Sequence, residues 1–546
     1  MRRAIVAFLA IALSGCATLP TSGPVLVGGP ITVEGSTEVE YLPAGPADGA
    51  TPREILDGFI AAGAAPQNNF RIARSFLTDA TALTWNPQRE TIVRGVDARF
   101  ETKSSTEISF STSVVARVDE SGVYELETYA RSISLNFTFT LIDGEWRLNT
   151  VPDATYVTEV AFASAYDEYT VFFYNSDRTA FIPDVRVFAR QADPVTSVAR
   201  AVIAGPSKYL PNASTAFPPE SALAIAPVDV VSGRALVDVS DDVAQSSIAD
   251  QRAMLSQMGE SLAQLPGIAS TALSINRVSL PITASPDLDS TPRVDDRPLI
   301  VDKGTIGYLT DGAVDPIPQN SDRIANLTPT SISYDATSGV AAVGTRDGVY
   351  VVGDRTDRIS NNASLVDPQI DGAQSVWWIS PDSPNAITLF EDGRRSTIQS
   401  PWGRQVHIVG LEVSREDARI AVAVNDGGRA FLFVAAIEVD ETGHVVGVDG
   451  YRSLHVSVDR ILDLAWSDAT HVAFLGSQSS VIQAEVATVG GRTTLLGQPQ
   501  NPIRISGGNT GVAGLVVLAE NGQLWKPRGA GWQSTGISAD VLATQH

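Results

Sequence analysis

Carboxylates, five imidazoles and a single thiol are the groups with which this chain could do covalent chemistry. Asp238, Asp241 and Asp242 fall together at the end of an apolar run. Two carboxyls at the right separation could straddle a glycosidic bond as acid and base. The same spacing describes a solvated strand end before a helix, which is the reading we favour. His407, His444, His455, His471 and His546 are all the histidines, so the first 406 residues hold none. That removes a Ser-His-Asp triad and a His-ligated metal from most of the chain. His471 opens an apolar strand and reads as structural; His407 and His455 lie beside strand-like stretches without a partner motif. Gly-x-Ser-x-Gly, Ser-x-x-Lys, His-Glu-x-x-His and the phosphate-binding loop are absent. Gly205-Pro206-Ser207-Lys208 follows a helical pattern instead of preceding one, and reads as a helix stop. We therefore expect no catalytic residues, no cofactor and no metal.

The thiol is different. Cys16 is the only cysteine among 546 residues, and it directly follows Arg2-Arg3 and the apolar run from Ala4 to Leu13. A basic start, a short apolar stretch and small residues before the cut make a secretory signal peptide over 1–15. Ten apolar residues are too few to span a bilayer, which takes roughly 20. Leu13-Ser14-Gly15-Cys16 resembles the bacterial lipobox, whose cysteine receives a diacylglycerol and becomes the mature N-terminus. The sequence thus predicts lipid attachment at Cys16 and a lipid-anchored protein on the extracytoplasmic face of the cell membrane. No thiol then remains for a disulfide or a zinc site.

The formal charge is −23; without Arg2 and Arg3, 37 basic against 62 acidic residues leave −25. Such a surface repels nucleic acid and anionic headgroups, so membrane contact is expected from the lipid alone. A length of 546 residues suggests about three domains.

Several elements must position these groups. Residues 16–50 carry five prolines among Gly, Ser and Thr with no hydrophobic period, and read as a tether. Over 51–156, Thr51-Pro52-Arg53-Glu54 starts a helix with Ile55, Leu56, Phe59 and Ile60 on one face. A second short helix holds Ile72, Ala73, Phe76 and Leu77, and alternating strands follow, closed by a hairpin at Asp143-Gly144. Helices before a curled antiparallel sheet describe a cone-like α+β domain, similar in pattern to the nuclear-transport-factor fold.

Over 159–280, a strand at 170–174 and a segment at 185–188 lead to a helix begun by Asp193-Pro194 and stopped by Gly205-Pro206. Strands at 223–230 and 234–239 follow, then a helix with Met254, Met258, Leu262 and Leu265 on its core stripe, then a strand at 271–278. Residues 281–297 form an acidic, proline-bearing linker that lacks the order of a calcium loop. From 298 to 546 similar phrases recur around Ser333, Ser380, Ser414 and Ser467, at steps of 47, 34 and 53 residues. Repeats of about 40–50 residues fit a β-propeller, here with five to seven blades. Trp377, Trp378, Trp402, Trp466, Trp525 and Trp532 lie in this part and are expected mostly between blades. The fold class is thus two small α+β domains followed by an all-β propeller.

Within 159–280, Ala201-Val202-Ile203-Ala204-Gly205-Pro206, Phe217-Pro218-Pro219-Glu220, Gly233-Arg234-Ala235-Leu236-Val237-Asp238-Val239-Ser240 and Leu265-Pro266-Gly267-Ile268 resemble the GerMN module of sporulation and germination proteins. A lipobox, the stretch from Leu19 to Val25, a cone-like domain, GerMN and a propeller, in that order, resemble the actinobacterial LpqB lipoprotein family. The resemblance implies a non-enzymatic accessory of a two-component system of the MtrAB type. It also implies association with the extracytoplasmic domain of a sensor histidine kinase and an effect on envelope and division. The family carries no catalytic residue to transfer; Cys16 alone carries over. Two other classes stay open: a binder of cell-wall glycan, and a glycan-processing enzyme using Asp238, Asp241 or Asp242.

Overall fold

A computed structural model describes residues 43–546 apart from 191–192, 286–291, 363–365, 381–382, 400 and 402–406. Leu13, Ser14, Gly15, Cys16, Trp402, Asp287 and Asp289 lie outside the described residues.

The chain opens at the expected cap. The Thr51 hydroxyl accepts from Glu54 N at 3.3 Å while the Glu54 carboxylate accepts from Thr51 N at 2.8 Å, so helix Pro52–Ala62 begins with reciprocal bonds. The second helix, Gln67–Arg74, ends before Phe76 and Leu77, and a further turn, Asp79–Thr84, follows it. The sheet beneath is built on Glu107–Asp119, whose alternating burial aims every second residue at the helices. Its partner Tyr124–Ile142 runs 19 residues and returns through Asp143 and Gly144, whose φ values of 52° and 87° make a two-residue hairpin turn. Phe59, Trp85, Phe110, Phe137 and Tyr156 fill the concave side.

The second module starts on a hairpin, Tyr166–Tyr174 against Phe181–Ala189. Helix Pro194–Ala204 is capped by the Asp193 carboxylate and stopped by Gly205 at φ 97°. It packs with helix Ile248–Ala263 on one face of a four-stranded sheet. The strand expected over 223–230 shrinks to Asp229–Val231 plus one bridge from Leu223 to Val239. Pro218, Pro219 and Pro227 lack the amide that a ladder needs.

The remainder forms six sheets among the described residues, arranged as propeller blades: 299–316, 331–360, 366–399, 407–454, 460–497 and 502–538. The inner strand of the first blade is Val541–Leu542, antiparallel to Leu299–Asp302, so distant parts of the chain close the ring. The uneven phrase spacing has a simple cause. Three phrases sit on the first strand of their blade, whereas Val376–Ile379, with Trp377 and Trp378, is a second strand. Blade four is also lengthened by the hairpin Arg429–Val439 and Val445–Leu454. The first and sixth blades lack the phrase; in the sixth, Gly507 lies against the Trp466 carbonyl, where a Cβ would stand 1.9 Å from the oxygen.

Candidate functional site

The sequence-predicted carboxylates are spent on structure. Asp238 is 5 % exposed and accepts from Ser274 Oγ at 2.6 Å and Arg277 N at 2.9 Å. Asp241 accepts from Asn276 Nδ2 at 2.7 Å, and Asp242 is exposed. These bonds pin the turn that links the last two strands of the second module. The histidines divide similarly. His407 and His455 are exposed, His444 contacts Thr442 at 2.7 Å and Asp392 at 3.1 Å, and His471 Nδ1 sits 2.9 Å from Asp468. Burial alone would lower the His471 pKa, but the Asp468 carboxylate outweighs it and raises it. Trp377, Trp378 and Trp466 are fully buried between blades, and Trp525 and Trp532 are partly covered.

Sequence reasoning missed the polar seam that joins the modules. Strand Phe181–Ala189 carries Asp184 and Arg186, both almost fully buried. Arg186 donates to Asp184 at 2.7 Å, to the Gly205 carbonyl at 3.0 Å and to the Ser121 carbonyl of the first module at 3.1 Å. Asp184 also accepts from Ser207 N at 2.8 Å. Burial would raise the Asp184 pKa, but Arg186 and Arg452 outweigh it and hold it low. Two charges inside an otherwise apolar strand were the available signal, since such residues are almost never buried unpaired.

Toward the propeller the seam continues. Glu168 accepts from Arg492 N at 2.8 Å and Thr488 Oγ1 at 2.9 Å, and Asn212 Nδ2 donates to the Ala418 and Ile437 carbonyls. Arg419, 1 % exposed in its side chain, donates to Glu416 at 2.6 Å and to the Ala469 carbonyl of the next blade at 2.6 Å. Its guanidinium lies 4.9 Å from the Trp466 ring centre. In this blade the Ser414-Arg415-Glu416 phrase therefore locks one blade to the next.

Where the C-terminal strand ends, a proton-holding cluster forms. His546 Nε2 lies 2.8 Å from Asp417, and Asp371 accepts from Trp377 Nε1 at 2.8 Å and Ser375 N at 2.7 Å. Burial, with the charge of Asp417, pushes Asp371 up to about 6; burial pushes nearby Glu412 up to about 8. Burial would lower His546, but Asp417 and Asp371 outweigh it and raise it. In all three the folded state keeps a proton that the unfolded chain releases at lower pH. Their contribution to stability is full below the unfolded values and is lost as pH rises through the folded ones. We expect the propeller transition in calorimetry to lose roughly 4 kcal/mol, or about 10 °C, between pH 5.5 and 8.5. Glu412→Gln should flatten most of that slope; an unchanged slope would show that Glu412 ionises normally.

Comparison with known proteins follows the same modular division. Residues 45–163 match the family described as Lipoprotein LpqB, N-terminal domain, and residues 304–539 match Lipoprotein LpqB beta-propeller domain. The chain belongs to the LpqB lipoprotein family. Between these stretches, residues 170–280 match the family described as Sporulation and spore germination. Lipoprotein LpqB of Cutibacterium acnes is 24 % identical across 100 % of this chain and 96 % of its own length. Its counterpart from Thermobifida fusca is 24 % identical over 89 % of each chain. The first GerMN domain of the sporulation protein GerM from Bacillus subtilis is 18 % identical over 22 % of this chain and 96 % of that one, with a TM-score of 0.19. The relatives are named as lipoproteins, not as enzymes. No helix among the described residues is long and apolar enough to cross a membrane, and membrane attachment in this family is by lipid.

Proposed function

We propose that this lipoprotein is a non-enzymatic accessory of a sensor histidine kinase of the MtrAB type. Acylated at Cys16 and held on the extracytoplasmic face by a 16–50 tether, it binds the kinase's extracytoplasmic domain and so affects envelope and division. A cone-like module over 51–156, a GerMN module over 159–280, a linker over 281–297 and a propeller over 298–546 would serve as its contact surfaces. The observation that carries this reading is membership of the LpqB family along the length of the chain. The structural use of Asp238, Glu416, Asp184 and His471 agrees with a role in binding and not in turnover.

Cross-linking in intact cells, followed by detergent solubilisation and affinity recovery of this chain, is expected to bring down the kinase ectodomain. Recovery of both folded proteins without a cross-link between them would reject the proposal.

A further inference from the structure

Between the first and second modules two cavities of about 400 and 550 Å³ share Gln88, Ser197 and Arg200 in their lining, so they run together as one groove. Junctions between modules are where ligand sites of this size form preferentially. One wall belongs to helix Pro194–Ala204, whose Ser197, Arg200, Ala201 and Ala204 fall on a single stripe. Small side chains there keep the groove open. A second wall is the end of strand Phe181–Ala189, with Phe188 half-buried. The first module supplies Gln88 and the turn after Asp119. That turn is fixed in place, because Val187 N donates to the Gly122 carbonyl at 2.8 Å. Gly122, at φ 82°, leaves room for the Phe188 ring, from which a Cβ would stand only 2.6 Å.

Backbone strain marks the same groove. Asn68, Asn69 and Phe70 have φ values of 51°, 56° and 57°, a left-handed run that only glycine adopts freely. All three are lining residues, and conformations held in this way gather at ligand clamps. The charges are unevenly committed. Asp119 accepts from Ser121 N at 2.9 Å, Ser121 Oγ at 2.7 Å and Val123 N at 2.9 Å. Asp193 is taken up by the Val195 and Thr196 amides that it caps. Arg200 is the one cation lining the groove among the described residues. It is exposed and makes no hydrogen bond or ion pair to any of them. The Gln88 side-chain amide and the Ser197 hydroxyl are likewise unbonded to described residues. Glu120, also exposed in the lining, opposes a second negative charge, so a singly charged anion fits best.

We propose that this groove binds the free carboxylate end of a short peptide. Arg200 takes the carboxylate on its two-pronged fork. Gln88 and Ser197, each both donor and acceptor, serve the peptide N–H and C=O groups that precede it. The terminal side chain rests against Phe188 and the alanines of the helix stripe. A plain fatty carboxylate satisfies Arg200 but leaves Gln88 and Ser197 facing hydrocarbon, which costs their desolvation. Because the walls come from two modules, an occupant touches both. The proposal does not depend on any kinase partner.

The test is calorimetric titration of the full-length lipoprotein in lipid nanodiscs, with acetyl-Ala-Phe as probe beside its C-terminal amide and hexanoate. Saturable binding of the peptide acid is expected, with binding at least tenfold weaker for the amide and for hexanoate. Arg200→Gln is expected to weaken the acid at least tenfold while leaving the weaker amide binding unchanged, a pattern that a merely structural change would not give. Ala204→Trp, at an exposed position on the same stripe, is expected to abolish binding by filling the groove. Both variants are checked for a wild-type melting profile. Absence of saturable binding to the folded wild-type chain overturns the proposal. So does undiminished binding of the acid by the two folded variants, or binding of hexanoate as tight as that of the peptide acid.

Discussion

Arg186→Met is expected to destabilise the second module by about 3–5 kcal/mol, the usual cost of leaving one member of a buried ion pair uncompensated. Asp184, already 3 % exposed, would keep its charge with Ser207 and the more distant Arg452 to hold it. The loss should reach beyond that module, because Arg186 also binds the Ser121 carbonyl of the first. Urea unfolding followed by limited proteolysis would register both effects: a lower midpoint, and new cleavage between the first and second modules. The double variant Asp184→Leu, Arg186→Met removes both charges and should recover most of the lost stability. A double variant as unstable as the single one would mean that the strand needs its polarity, not merely its neutrality. Little change in the single variant would mean that the pair does not join the modules.

The second large effect concerns location. Cys16→Ser is expected to move nearly all of the protein from the membrane fraction to the aqueous one. Two or three acyl chains anchor stably, each buried methylene contributing about 0.8 kcal/mol. A net charge of −25 without Arg2 and Arg3 offers no electrostatic substitute on an anionic surface. Mass spectrometry of the wild-type N-terminal peptide should show the added diacylglycerol mass. An unmodified thiol, or a serine variant that still sediments with membranes, would remove the basis for placing the protein there.

Local signals were legible in the sequence wherever one residue type has one physical use. Thr51 and Glu54 had to cap a helix, Gly205 had to leave one, and Asp143-Gly144 had to turn a hairpin; each does so. The propeller was legible through repetition, but its blade number was not, since the phrase used as a marker sits on the second strand in blade three and is missing from blades one and six. The seams could not be read. Asp184 meets Ser207 from 23 positions away, and Glu168 meets Arg492 from 324 away. No period or motif announces a contact between residues whose only shared property is polarity.

The pairing of Val541–Leu542 with Leu299–Asp302 has a consequence for how the molecule comes into being. Strands roughly 240 positions apart in the chain must find each other before the ring is whole, and distant pairings of this kind are slow to form. Until they meet, the inner edge of the first blade, Leu299–Asp302, stands open to other chains. A polypeptide emerging N-terminus first would therefore hold an unfinished circle until Val541 and Leu542 are free to pair.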